Sequence, residues 1–147
     1  MVAADSNFAT KGCFRKSHLP PRAANLVRST NAMNDVENLR NQLRTFASER
    51  DWDQFHSPKN LAAALAVEAA ELLEHFQWLT EAESQQLAPE ALAGVRAEVA
   101  DVLLYLIRIC DKLGIDLIAA ANAKIVLNAE KYPVDKAHGN NKKYTEL

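Results

Sequence analysis

Apolar side chains recur every three or four positions along most of the chain, which is the spacing of one face of an α-helix. Four stretches show this pattern, and we expect a helix in each: residues 35–50, 58–79, 89–113 and 116–132. The connections between them are short, and four helices joined in this way are typical of a bundle. The pattern therefore predicts an all-α fold, a four-helix bundle.

Residues that commonly begin or end helices stand at the edges of these stretches. Ser57 offers an N-cap and Pro58 a first-turn proline for the second helix, and Pro89 opens the third. Gly114 follows the third stretch, where glycine commonly ends a helix, and Asp116 can cap the fourth. Local chemistry therefore supports the boundaries that the apolar spacing indicates.

The two ends of the chain lack helical periodicity. Residues 1–33 contain glycine, two prolines and scattered small polar residues, so we expect a disordered N-terminal extension. This extension is either a dispensable leader upstream of a natural start at Met33 or a transit peptide, and we favour the leader. Residues 133–147 are expected to form an irregular C-terminal tail. The globular domain is predicted at residues 34–132.

The composition agrees with one helical domain. Of 147 residues, 48% are hydrophobic, which suffices for a single core, and glycine and proline are few. The apolar faces are wide for so small a domain, which predicts a homodimer or homotetramer. No apolar run approaches the roughly 20 residues of a membrane span. Cys13 and Cys110 give no disulfide framework, so a cytoplasmic location is expected.

The charge is unevenly distributed along the chain. Residues 1–32 carry five basic side chains and one acid, so a net charge of −2 overall leaves −6 on the remainder. A body with this negative charge does not resemble a surface for a nucleic acid polymer. It is compatible with binding a metal ion first and a small polyanion through that ion.

Two pairs of acids occupy unusual positions on the second and third helices. Glu68 and Glu71 are three residues apart, as are Glu98 and Asp101, so each pair shares one helical face. On a helical wheel Glu68 falls inside the apolar stripe and Glu71 at its border, whereas Glu74 points outward. A charged residue inside an apolar stripe is rarely buried without a partner, and no Lys or Arg lies within a turn of Glu68.

The third helix repeats this arrangement at the edge of its own predicted core face. That face is expected to consist of four aliphatic residues, with both acids at its border and an aromatic ring between them. The aliphatic residues are Val95, Val99, Val102 and Leu106, and the ring is that of Tyr105. Together the four acids are better explained by metal binding than as ordinary surface residues.

Ligand type indicates which metal. An all-oxygen set without Cys or His suits Mg²⁺, with Mn²⁺ as a possible substitute, because these ions prefer oxygen and take phosphate oxygens as further ligands. A di-iron site would need Glu-x-x-His repeats. His75 stands four residues after Glu71 and has no counterpart near Asp101, so iron is less favoured. We interpret His75 as a helix-surface or interface residue.

Three aromatic residues, Trp52, Trp78 and Tyr105, lie near the acidic pairs in sequence. Flat side chains of this kind can stack on a nucleobase, but they equally serve core packing. The residues alone leave both interpretations open.

The string RDWDQFHSPKNLAAALAVEAAELLEHFQWL, followed by EVADVLLYL and KYP, resembles the MazG-like nucleotide pyrophosphohydrolases, most closely their dCTP pyrophosphatase branch. The similarity spans roughly residues 35–147. It implies an all-α homo-oligomer that hydrolyses a nucleoside triphosphate to a monophosphate and pyrophosphate with Mg²⁺. It also implies that Glu68, Glu71, Glu98 and Asp101 are metal ligands. One of them, Glu71 or Glu68, would take the proton of the attacking water.

The same resemblance implies a set of residues that contact the nucleotide. Those expected at the base and its surroundings are Trp52, Asp53, Phe55, His56, Trp78 and Tyr105, and those expected to reach phosphate or sugar are Lys124 and Asn128. One position departs from the pattern, because some relatives have a substrate-contacting histidine where this chain has Leu43.

The predicted function is Mg²⁺-dependent hydrolysis of a pyrimidine deoxynucleotide, dCTP or a modified dCTP, for nucleotide-pool control. Two alternatives stay open at this point. One is a broad-specificity house-cleaning triphosphate pyrophosphohydrolase. The other is a non-catalytic helical dimerisation module whose acids only stabilise a dimer.

Overall fold

Helices form all of the regular secondary structure that the computed structural model describes, which covers residues 32–147. The helices are α1 (Ala32–Ser48), α2 (Pro58–Glu74), α3 (Glu81–Ser84), α4 (Pro89–Leu113), α5 (Leu117–Lys131) and α6 (Val134–Ala137), and a 3₁₀ turn spans Tyr144–Glu146. The predicted all-α fold is confirmed. The predicted extension at 1–33 lies outside the described residues, apart from 32 and 33, which belong to α1.

Side-chain caps and one glycine set several helix ends. The Ser57 hydroxyl accepts a hydrogen bond from the Asn60 backbone N–H at 3.2 Å, and Asp116 accepts one from the Ala119 N–H at 2.9 Å. Gly114 ends α4 with φ of 66°, a left-handed conformation that favours glycine. These three boundaries agree with the prediction from sequence.

The end of α2 was predicted wrongly. The helix stops at Glu74 rather than near Leu79, and residues 75–78 form a turn. His75 is the C-cap, and the next two backbone N–H groups both donate to the Leu73 carbonyl, at 2.9 and 3.0 Å. Apolar spacing continues through this turn without a glycine or proline, so the sequence pattern contains no stop signal.

Three short elements lie where only irregular chain was expected. Thr80 begins α3 with a capping box, in which its side chain and that of Glu83 each bond to the other residue's backbone N–H. The C-terminal tail contains α6 and the 3₁₀ turn, where the Tyr144 ring lies edge-on to Tyr132. The tail at residues 133–147 is therefore partly ordered.

The core lies mainly between α2 and α4, and α1 also packs against α4. Leu61 and Ala64 of α2 are buried against Tyr105 of α4, with Leu65 and Ile109 around them. Helix α4 packs against both α1 and α2, so it is the central element of the core.

The buried face of α4 is only partly the predicted one, since Val95, Val102 and Leu106 are half-buried. Val99, expected in the core stripe, is 50% exposed, whereas Glu98 beside it is only 4% exposed. The side of α4 that bears Glu98, Tyr105 and Arg108 faces inward. The helical wheel had placed Glu98 and Tyr105 only at the edge of the apolar stripe. Aliphatic side chains alone did not determine the orientation of α4.

Helix α5 contributes little to this core. Every residue of α5 is exposed except Leu117, which is half-buried. The exposed large apolar residues of this helix are Ile118, Ile125, Val126 and Leu127. No helix within residues 32–147 is both long enough and apolar enough to cross a membrane.

Candidate metal centre

Three carboxylates from two helices meet beside the core. Glu68 of α2 and Glu98 and Asp101 of α4 each offer an oxygen, and these atoms lie within 4.8 Å of one another. The i, i+3 spacing places Glu98 and Asp101 on one face of α4, and the packing of α2 against α4 brings Glu68 to them. The structure thus assembles three of the four acids proposed as ligands.

Burial and mutual repulsion disfavour the charged forms of these acids. Burial raises the pKa of Glu68 to about 7, and the charges of Asp101, Glu71 and Glu98 add to the effect. Burial also raises the pKa of Asp101, with further contributions from Glu98 and Glu71. Among residues 32–147, no Lys or Arg forms an ion pair with this cluster.

The fourth acid, Glu71, has a different environment. Its side chain is exposed and lies outside the group of three. Its charge nevertheless acts on the pKa of both Glu68 and Asp101, so it lies beside the cluster. The sequence singled out Glu68 as the most anomalous acid, but Glu98 is the most deeply buried of the four.

The donor set fits a divalent cation of the Mg²⁺ type. All donors are carboxylate oxygens, which such ions prefer. A cation would also relieve the repulsion among these acids, which have no cationic side chain as a partner within residues 32–147. The cluster is therefore a candidate metal centre.

The three aromatic residues near the acids occupy three different environments. Tyr105 is 5% exposed and belongs to the apolar core cluster. Trp52 is half-buried and lies edge-on to Phe46, with ring centroids 5.7 Å apart. Trp78, in the turn after α2, is 87% exposed. Core packing therefore describes Tyr105, whereas Trp78 is available for stacking.

A buried arginine connects the loop between α1 and α2 to α4. Arg108 donates from Nε to His56 Nδ1 at 3.2 Å, from Nη1 to Asp111 at 2.8 Å, and from Nη2 to Asp53. Lys112 also donates to Asp53, at 2.6 Å. Two predicted nucleotide contacts, Asp53 and His56, are thus held against the helix that carries two of the clustered acids.

Sequence reasoning did not identify Arg108 as part of the site. The available signal was a single charge inside the apolar run YLIRIC. Its partners on the loop lie more than 50 residues away in sequence, so no local spacing indicates them.

The remaining predicted contacts lie at the surface. Phe55 is exposed in the loop between α1 and α2. Lys124 and Asn128 are exposed on α5 and lie outside the three-carboxylate cluster. Leu43, where some relatives were expected to have histidine, is buried on α1.

The fold and the cluster together define a class: a helical protein in which two packed helices turn carboxylates toward a shared candidate cation site. The model of the MazG-like family matches residues 63–147. The match includes all three clustered acids. The chain belongs to the MazG-like family.

Similar proteins agree with this assignment. The chain is 41% identical to dCTP pyrophosphatase 1 of Homo sapiens over 114 residues, which cover 76% of this chain and 67% of that protein. It is 40% identical to dCTP pyrophosphatase 1 of Mus musculus over the same length and the same shares. The crystal structure of a pyrophosphatase from Archaeoglobus fulgidus superposes with a TM-score of 0.63 at 37% identity, covering 74% of this chain and 98% of that one.

Proposed function

We propose that this protein is a nucleoside triphosphate pyrophosphohydrolase that converts dCTP, or a base-modified dCTP, to the monophosphate and pyrophosphate. The observation that carries the proposal is the cluster of Glu68, Glu98 and Asp101, whose oxygens lie within 4.8 Å of one another. The names of relatives about 40% identical to the chain support the reaction and the nucleotide. The role is control of the nucleotide pool, which we assign to the cytoplasm.

Glu68, Glu98 and Asp101 would hold the metal, with Mg²⁺ as the proposed ion and Mn²⁺ as a possible substitute. When bound, such an ion supplies positive charge for the triphosphate oxygens and makes water more acidic. The three side chains come from two helices in packing contact, so their relative positions are fixed before substrate arrives.

We propose that Glu71 is the general base that accepts a proton from the attacking water. This carboxylate is exposed beside the cluster, whereas the other three face one another. Water would attack the α-phosphorus, the bond from that phosphorus to the bridging oxygen would break, and pyrophosphate would leave. Glu71 would accept the proton that the water gives up.

We propose that exposed residues and residues of the loop between α1 and α2 recognise the base and the phosphates of the nucleotide. Trp78 offers a solvent-exposed side chain for stacking, and Trp52, Phe55 and His56 lie in the loop between α1 and α2. Lys124 and Asn128 are proposed to reach phosphate or sugar. Asp53 and Tyr105 are engaged in ion pairs and in the core, respectively, so we propose that they shape the site rather than contact the nucleotide.

A nucleotide screen tests the proposed reaction. The purified protein, supplied with Mg²⁺ and each of the common ribo- and deoxynucleoside triphosphates, should release pyrophosphate fastest from dCTP. Comparable rates on ATP, GTP and dCTP would support the broad-specificity alternative instead. Absence of turnover on every nucleotide, with Mg²⁺ or Mn²⁺, would leave the helical interaction module as the better description.

A pair of isosteric variants separates the proposed roles of the acids. Glu98→Gln should lose both turnover and the rise in melting temperature that Mg²⁺ produces, because it removes a buried ligand. Glu71→Gln should retain most of that Mg²⁺-dependent rise while kcat falls by about 10²- to 10⁴-fold, the usual contribution of a general base. If Glu71→Gln instead loses the thermal response, Glu71 is a ligand and the base lies elsewhere.

A further inference from the structure

The packing of α2 on α4 places a histidine about one helical turn from the acidic cluster. Glu68 of α2 lies beside Glu98 and Asp101 of α4. Seven residues further along α2, the His75 ring lies over Gly94 of α4. Contacts thus advance along α2 while they go back along α4, so the two helices run antiparallel. Gly94 precedes Glu98 by four residues, about 6 Å along the helix axis, so the contact between His75 and Gly94 is the layer next to the cluster.

This contact depends on the glycine at position 94. A Cβ built on Gly94 would lie 2.5 Å from His75 Cε1, 3.0 Å from its Nε2 and 3.4 Å from its Nδ1. Carbon atoms in van der Waals contact lie about 3.5–4.0 Å apart, so the ring occupies the space that a side chain at position 94 would need. His75 is half-buried, although it stands where α2 ends. The imidazole therefore packs the end of α2 against the backbone of α4.

The turn after His75 is tied to it by backbone hydrogen bonds. The next two backbone N–H groups both donate to the Leu73 carbonyl, at 2.9 and 3.0 Å, and the Leu79 N–H donates to the Phe76 carbonyl at 2.9 Å. Trp78 lies inside this turn, three residues after His75, and its side chain is 87% exposed. The place where His75 packs on α4 therefore determines where the Trp78 side chain leaves the backbone.

We propose that His75 is a positioning residue that packs on Gly94 and so fixes the turn at residues 75–79, with Trp78, relative to the carboxylate cluster, which sets the affinity for the nucleobase. This inference rests on the proposed function, because it takes Trp78 to stack on the base. His75 acts through the turn and not by touching the nucleotide. Its removal should therefore weaken recognition of the base and leave recognition of the phosphates by the metal centre intact.

The first test compares a ligand that has a base with one that has none. In Gly94→Ala the added methyl group displaces the His75 ring and the turn, so KM for dCTP should rise about tenfold while kcat changes less than about threefold. The inhibition constant of inorganic tripolyphosphate, which has no base, should stay at the wild-type value, as should the rise in melting temperature with Mg²⁺. Ala93→Ser adds one heavy atom at the exposed neighbouring position of α4 and is the matched control, which should equal the wild type.

The second test identifies the contact with a pair of variants. His75→Ala removes the ring and should also raise KM for dCTP, because the turn is no longer held on α4. Adding Gly94→Ala to His75→Ala should raise KM no further, since the methyl group then meets no ring. Effects that simply multiply would show that the two residues act independently, which overturns the inference. If Gly94→Ala does not fold, His75→Ala and the wild type are compared with dCTP and tripolyphosphate in the same way.

Nuclear magnetic resonance of the metal-free and nucleotide-free protein tests the turn separately from catalysis. In the wild type, ¹⁵N relaxation should give residues 76–79 backbone order parameters of about 0.85, the value of a rigid backbone. The same residues should have lower order parameters in His75→Ala, whereas those of α2 should be unchanged. Equal order parameters in the two proteins would show that His75 does not fix the turn.

The kinetic outcomes distinguish the inference from the proposed function. A Gly94→Ala protein whose KM equals that of Ala93→Ser overturns the inference. An equal loss of affinity for dCTP and tripolyphosphate also overturns it, because damage to the metal centre would then explain both. If the wild-type protein hydrolyses no nucleotide, the proposed function fails, and the role of His75 in nucleotide affinity fails with it. The relaxation measurement then still decides whether His75 holds the turn on α4.

Discussion

Glu98 is a buried acid of the candidate metal centre, and its burial affects both the binding of a cation and the stability of the fold. It is buried beside two other acids, and none of the three has a lysine or arginine as a partner within the described part of the chain. Buried charges of like sign destabilise a fold unless protons or a cation neutralise them. The stability of the protein should therefore depend on whether protons or metal occupy the cluster.

This leads to a pH prediction for the metal-free protein. The pKa of Glu68 rises from 4.5 to about 7 on folding, so between these values the folded state binds more protons than the unfolded state. The free energy of unfolding should then decrease as pH rises from about 5 through 7, and the raised pKa of Asp101 acts in the same direction. Urea denaturation at a series of pH values measures this slope.

The lowered pKa of His56 acts in the opposite direction over part of this range, so a control is required. Glu98→Gln removes one of the charges that raise the pKa of Glu68 and Asp101 and leaves His56 unchanged. Its unfolding free energy should fall less with pH than that of the wild type. In the wild type, the stabilisation by Mg²⁺ should be larger at pH 8 than at pH 6, because metal competes with protons for the carboxylates. Equal pH slopes in the two proteins would contradict the effect.

At the scale of elements, the packing of α2 on α4 positions both the acids and the turn that carries Trp78. His75, which we expected at a surface or interface, is the half-buried C-cap of α2 and lies over Gly94 of α4. A Cβ at Gly94 would come within 2.5 Å of His75 Cε1. The glycine thus makes room for the imidazole where α2 ends.

This contact predicts opposite effects of one substitution in two backgrounds. Gly94→Ala should destabilise the wild-type protein by about 1–2 kcal/mol, because the His75 ring must move out of a packed position. In a His75→Ala background the same change should be neutral or stabilising by up to about 1 kcal/mol, since alanine favours the helix. A double-mutant cycle by chemical denaturation measures the coupling, and additive effects would refute the contact.

The elements also show which features the sequence could predict. The start of α2, the end of α4 and the cap of α5 depend on Ser57, Gly114 and Asp116, whose chemistry acts locally, and these predictions were correct. The end of α2 depends on a turn packed against α4, which apolar periodicity does not encode. The inward face of α4 was predicted only in part, because a polar side with Glu98 and Arg108 packs against α2 and the loop.

The candidate site likewise has some features that the sequence predicted and others that it did not. Acid spacing on two helices predicted a shared cluster, and three of the four acids do converge. The relative burial of these acids was not predictable, because it depends on how α2 and α4 pack. The ion pairs of Arg108 were missed because their partners on the loop are distant in sequence.

At the scale of the whole molecule, α5 exposes an apolar surface that does not pack into the core between α2 and α4. Ile125, Val126 and Leu127 are consecutive and all at least half exposed. Such a surface is typical of a helix that packs against a second copy. We propose that the chain forms a homodimer or homotetramer through α5, as its apolar faces predicted from sequence.

A single charge on α5 tests this arrangement. Val126→Asp should shift the protein toward the monomer in light scattering after size exclusion, because burying a carboxylate in an apolar interface costs several kcal/mol. The helix itself should survive, since position 126 is exposed in the single chain. Ala82→Asp, which adds the same charge at an exposed position of α3, should leave the assembly intact. A wild-type monomer at micromolar concentration would contradict the proposal.

The exposed position of Trp78 also makes the protein suitable for optical measurement. The chain contains only two indoles, and the other, Trp52, is half-buried against a phenylalanine ring. Emission from a solvated indole lies at longer wavelength than that from a shielded one, so the two signals can be separated. Ligand arrival at the turn after α2 can therefore be followed by fluorescence quenching in the natural protein, without attaching a dye.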